Sequence, residues 1–93
     1  MSFKKTTHTI FDVPVKVAIK TFANSDLTTD SLVITHPYNT KVVEAIIYKP
    51  NGDQMLLANI FNIANSTYNS VRFDFGGALE AGNHLLILKF YAL

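Results

Sequence analysis

Across residues 13–22 apolar and polar positions alternate singly, with Val13, Val15, Val17 and Ile19 on one side and Pro14, Lys16, Ala18 and Lys20 on the other. A period of two matches the pleat of a strand, so the pattern predicts a β-strand with its β-branched residues inward and its lysines in water. Asn24-Ser25-Asp26 and Thr28-Thr29-Asp30 then supply turn chemistry, because short polar side chains can bond their own backbone in place of a ladder. A second strand is expected at residues 31–35, broken by His36-Pro37-Tyr38-Asn39, since proline removes a donor and pushes its predecessor out of helical space.

The clearest hairpin joins residues 41–49 to residues 54–60 through Pro50-Asn51-Gly52-Asp53, where proline presets φ and glycine takes the left-handed position. Its first arm, with Val42, Val43, Ala45, Ile46 and Ile47 interrupted by Glu44, suits a central strand covered on both faces, and Glu44 would then need a partner. Residues 59–69, rich in asparagine, read as a strand end fading into a loop. Val71, Phe73 and Phe75 alternate with Arg72 and Asp74 in a further strand that Gly76-Gly77 ends. Residues 78–83 form a turn, and residues 84–91 form a last, strongly apolar strand.

Short strands between turn signals, without a sustained 3.6 period, predict an all-β fold: a single antiparallel β-sandwich of about seven strands, Ig-like or jelly-roll-like. Residues 1–12 form an N-terminal arm with room for a first strand, and residues 13–93 form the domain. With 93 residues the chain has room for one small core. A monomer of this mass would bury only about 64% of its unfolded surface, and no cysteine is present to add a disulfide or a thiolate metal site. Charged residues are 16%, against about 25% in ordinary domains. Both features point to association with copies or with a partner.

Charge and segment composition narrow the partner classes. A net charge of +1 offers no field that would recruit nucleic acid or anionic lipid, so neither is expected as a partner. The first twenty residues hold Lys4, Lys5, Lys16 and Lys20 and lack the apolar core of a secretory signal, so the chain is expected to stay in the compartment where it is made. The longest uncharged stretch, residues 54–71, carries too many asparagines, serines and threonines to span a bilayer.

Candidate chemistry is sparse. There is no cysteine nucleophile and no Gly-x-Ser-x-Gly, and His8, His36 and His84 show none of the short spacings that put two metal ligands on one face. No catalytic residue, metal site or cofactor is expected, and the three histidines read as residues at element boundaries. Asp26, Asp30 and Asp53 sit in turns for local reasons. The Asn65-Ser66-Thr67 glycosylation signature reads as a chance match, and Gly76-Gly77 lacks the surroundings of a phosphate loop. Tyr38 and Tyr68, placed in loops, are the aromatic residues available to a ligand platform. The polar arm holding Ser2, Phe3, Lys4, Lys5, Thr6, Thr7 and His8, and the apolar C-terminus with Tyr91 and Leu93, are the candidate partner-binding residues.

Ile34-Thr35-His36 through Asn39-Thr40-Lys41, then Val42 to Tyr48 and Pro50-Asn51-Gly52-Asp53-Gln54, resemble the entry strand and hairpin of small β-sandwich virion proteins of tailed bacteriophages. Ser70 to Phe75, followed by Ala81-Gly82-Asn83-His84-Leu85-Leu86-Ile87, is similar to the continuation of that pattern, so the resemblance covers residues 32–90. It implies a virion structural protein: a capsid decoration, or cement, protein that binds the major capsid protein on the outside of the assembled head. It would be made in the host cytoplasm and act as a homo-oligomer, a trimer in the favoured form. The family pattern usually ends a longer fibre protein, whereas here only about thirty residues precede it, which favours a free-standing virion protein. The alternative within the same resemblance is a tail-fibre or baseplate module that binds a host glycan through the Tyr38 and Tyr68 loops.

Overall fold

In a computed structural model that describes residues 14–92, the regular secondary structure is strand apart from one 3-10 turn. They are β1 (Val15–Phe22), β2 (Ser31–Thr35), β3 (Val43–Tyr48), β4 (Gln54–Met55), β5 (Ser70–Asp74) and β6 (His84–Tyr91), with a 3-10 turn at Asn24–Asp26. All pairings are antiparallel and form two sheets, one of four strands in the order β1-β6-β3-β4 and one of two strands, β2-β5. The fold is all-β, as the short alternating runs require, and the two sheets form an open sandwich over a shared core.

The core follows from strand periodicity. Leu86, Leu88 and Phe90 alternate along β6 and point to one side, joined by Ile47 of β3 and Phe22 of β1; Leu32 of β2 and Val71 and Phe73 of β5 meet them from the second sheet. Removing one such side chain from water is worth about 1.5–3 kcal/mol, so these eight residues are the main cohesive element. Phe22 stacks on Phe75 at 5.9 Å and on His84 at 5.3 Å, and Phe61 packs on Phe73 at 5.2 Å.

Three expectations need correction. The β1 valines and isoleucine do not face inward: Val15, Val17 and Ile19 are exposed, and the buried residue of the strand is Phe22 on the opposite face. The reason is tertiary. The second sheet packs on the face that carries Phe22, Leu86 and Phe90, which leaves the valines on the other face in water. Being narrower than the four-stranded sheet, it also covers only part of that inner face, so Lys16 and Lys20 reach water too. Second, β3 is interior in its sheet but covered on one face only, with Glu44 exposed on the other. Third, the expected second arm of the hairpin shrinks to Gln54–Met55; six strands lie among the described residues, and the possible first strand in residues 1–12 falls outside them. The segment after it attaches to β5 instead, through a Phe61–Phe73 bridge flanked by Asn62 N–H to Arg72 O and Asp74 N–H to Ile60 O, each 2.9 Å.

Turns behave as their residues demand at Gly52, where φ is +93° in the β3–β4 connection. The turn before β2 does not. Thr28 and Ser31 exchange two backbone hydrogen bonds, 2.8 and 3.0 Å, around Thr29 and Asp30, whose φ values are +52° and +62°. Positive φ at both central residues defines the I′ hairpin turn, which ordinarily takes Asn-Gly, so a β-branched threonine there is under strain.

Candidate interaction surface

The register of the large sheet sets out its outer face row by row. Ile19 of β1, Ile87 of β6 and Ile46 of β3 stand side by side; Val17, Lys89 and Glu44 form the next row, and Thr21, Leu85 and Tyr48 another. Beyond them lie Val15 and Tyr91, with Tyr91 donating its backbone N–H to the Val42 carbonyl at 2.9 Å. The face is therefore mainly apolar, with one oppositely charged cross-strand pair, Glu44 and Lys89, and the hydroxyls of Thr21, Tyr48 and Tyr91 as its polar groups. Exposure rises toward the edge, at 42% for Val15, 54% for Val17 and 67% for Ile19, whereas Ile46, Leu85 and Ile87 are half-buried by their neighbours. The Tyr91 hydroxyl donates to the exposed Glu44 carboxylate. That contact raises the Tyr91 pKa above its ordinary value, with burial adding to the effect, because ionising the phenol would set two anions together.

β1 also ends the sheet. Ala92 N–H donates to the Pro14 carbonyl at 3.0 Å, and successive residues of an antiparallel strand turn their backbone groups to opposite sides. Lys16, Ala18, Lys20 and Phe22 therefore direct N–H and C=O toward β6. Val15, Val17, Ile19 and Thr21 direct theirs to the outer edge, where no strand pairs with them among the described residues.

A polar site lies on the outer side of the small sheet. Asp74 accepts from Asn62 Nδ2 at 2.5 Å, from Arg72 Nε at 2.9 Å and from the Ser31 hydroxyl. Bonds from Ser31 and Asn62, with a smaller contribution from Arg72, hold the Asp74 carboxyl below its usual range against an opposing effect of burial. Beside this network Asp26, Thr28, Thr29, Ser31, Val33 and Arg72 line an open cavity of about 340 Å³. The strained Thr29 is one of its walls. Sequence reading missed both surfaces: Ser31 on β2 and Arg72 and Asp74 on β5 are some forty residues apart along the chain, and the β1 valines resemble core residues until it is known which face the second sheet covers.

The remaining candidates are scattered. Tyr38 is half-buried and packs on Phe90 at 4.8 Å and His36 at 5.9 Å, so its ring is part of an aromatic cluster. Tyr68 is 58% exposed, with Lys41 Nζ 5.2 Å from its ring centre. The two loops touch through Thr40 N–H and the Tyr68 carbonyl at 2.9 Å. Tyr91 closes β6 on the outer face. Ser2, Phe3, Lys4, Lys5, Thr6, Thr7, His8 and Leu93 lie outside the described residues. His36 and His84 stand at strand ends and are buried, and neither His84 nitrogen nor His36 Nε2 has a protein partner among the described residues. Burial lowers the His36 pKa. No described group of three or more histidine, aspartate or glutamate side chains could hold a metal ion. Among the described residues no helix is long and apolar enough to cross a membrane. The chain matches no protein-family model, no curated protein and no solved structure.

Proposed function

We propose that this protein is a structural component of a bacteriophage virion, a capsid decoration protein that binds the major capsid protein on the assembled head. The observation that carries the reading is the outer face of the large sheet, where Val15, Val17, Ile19, Ile46, Leu85 and Ile87 form one continuous apolar surface without a covering layer among the described residues. Isolated surface hydrophobics need no explanation, but a contiguous set marks a contact site. The resemblance of residues 32–90 to small phage β-sandwiches supplies the kind of assembly.

The mechanism is mass action. A protein that binds the assembled shell and not its free subunits stabilises the shell by its own binding free energy. Apolar burial at about 25 cal/mol per Å² supplies the driving force, and cyclic symmetry, a trimer in this reading, lets one patch per subunit close a cluster. In this reading residues 2–9 supply contacts to the shell. The experiment is quantitative mass spectrometry of purified particles, comparing the copy number of this chain with that of the major shell protein. A ratio near one copy per shell subunit is expected; a ratio typical of tail proteins moves the chain to the tail, and absence removes the virion reading.

A second reading has its own observation. The cavity beside Arg72 offers three hydroxyls, a guanidinium, a carboxylate and one apolar wall at Val33, a set suited to the hydroxyls of a sugar. A receptor-binding module would use it, and titration of the protein with host-surface sugars, followed through the amide signals of Thr29 and Arg72, separates that role from the first.

A further inference from the structure

The geometry points to the open edge of β1 as a strand-addition site for an extended segment of a partner protein, apolar on one face and acidic on the other. Three features of the strand converge. Its outward-directed backbone groups belong to Val15, Val17, Ile19 and Thr21, the residues whose side chains lie on the apolar outer face. The other face of the same edge presents Lys16 and Lys20, both exposed and without an ion pair among the described residues. With eight residues, β1 is as long as any strand of the fold, while the opposite edge, β4, has two.

A strand laid beside β1 bonds to the outward N–H and C=O groups, and its side chains alternate between the two faces. On the outer face they extend the apolar surface past Val15, Val17 and Ile19. On the inner face they stand beside Lys16 and Lys20, where carboxylates are attracted and cations repelled. The same lysines select against a second copy. Two β1 strands paired about a two-fold axis at Ala18 would set Lys16 opposite Lys20 twice, and lysine on an exposed edge is a recurrent guard against self-pairing. The occupant is therefore a different chain with alternating apolar and acidic residues. The proposal rests on the assembly reading only for which protein carries that segment.

The test uses the full chain and a labelled synthetic peptide of alternating valine and glutamate matched in length to β1. Hydrogen exchange comes first: the amides of Val17 and Ile19 should exchange freely while those of Ala18 and Lys20 are protected by β6. Adding the peptide should protect Val17 and Ile19 and raise fluorescence polarisation to saturation. The K16E/K20E variant should weaken this peptide by about tenfold and bind a valine–lysine peptide in its place. Val17→Pro removes one outward donor without touching the bonds to β6, so it should abolish peptide binding while the melting curve remains cooperative. The proposal is overturned if Val17 and Ile19 are already protected in the free protein, which would mean that the chain's own N-terminal residues or a second copy fills the edge. Equal binding of the two peptides, no binding of either, or binding that survives Val17→Pro in a folded protein would overturn it as well. These outcomes are independent of the particle copy number, so either conclusion can fail alone.

Discussion

Ile19 and Ile87 stand directly opposite one another across the β1–β6 pair, on the outer face of the four-stranded sheet, with Ile46 of β3 next in the same row. The row resembles a core layer in composition, yet Ile19 remains two-thirds exposed. An apolar residue this exposed, at the edge of the row, can change with little effect on folding.

Replacing Val17 and Ile19 together with threonine should therefore shift unfolding stability by no more than about 0.5 kcal/mol per site, since threonine keeps strand propensity and the sites are exposed. Binding to the partner surface should fall severalfold or more. Urea denaturation checks the first part and co-sedimentation with purified particles the second. A large loss of stability would place these residues in a buried layer.

Phe73→Ala should have the reverse profile. The ring is fully buried between the sheets, against Phe61 and Phe75, and truncating such a residue removes about 3–5 kcal/mol. In a small domain that is most of the stability available, so denaturant titration should show a population already partly unfolded in buffer.

Acid sensitivity near neutrality follows from His36. Burial holds its folded pKa below the ordinary histidine value of about 6.5, so as pH falls the unfolded chain takes up the proton first. Stability from this group is complete above about 6.5 and is lost as pH falls toward the lower folded value, by no more than about 1.4 kcal/mol per pH unit. Denaturation midpoints from pH 8 down to pH 5 should fall for the natural chain and stay flatter for His36→Phe. Asp74 acts in a lower window: its depressed pKa contributes stability above the unfolded value of 3.8 that disappears as pH falls through the folded one.

Tyrosine titration reports the outer face directly. Tyr91 should ionise above the ordinary phenol range because its hydroxyl donates to Glu44. Ultraviolet absorbance against pH should show a late-ionising phenol, and Glu44→Gln should move that ionisation to lower pH.

The turn at Thr29 and Asp30 should be improvable. Substituting T29N/D30G supplies the residues that adopt positive φ readily, and should raise stability by about 1 kcal/mol. Thermal melting checks it, and a fall would show that the threonine makes a compensating contact at the cavity wall.

What the sequence by itself determined was local. Ser31 to Thr35 formed the strand expected of it, with the same limits, because a run of β-branched residues between turn signals leaves the backbone little choice. The Pro50 to Asp53 turn, the Gly82 bend with φ +112° and the alternating core of the last strand were legible for the same reason. Which side of a strand is inside is not a local property. Val15, Val17 and Ile19 carry a core pattern, and they stay uncovered because the second sheet packs on the opposite face of the large sheet, the one that carries Phe22, Leu86 and Phe90. The Arg72–Asp74–Ser31 network depends on a pairing between β2 and β5 across some forty residues of chain, decided by how the two inner faces share one core. Period and turn chemistry act over a few residues, whereas coverage, edges and long-range register are settled when the sheets pack.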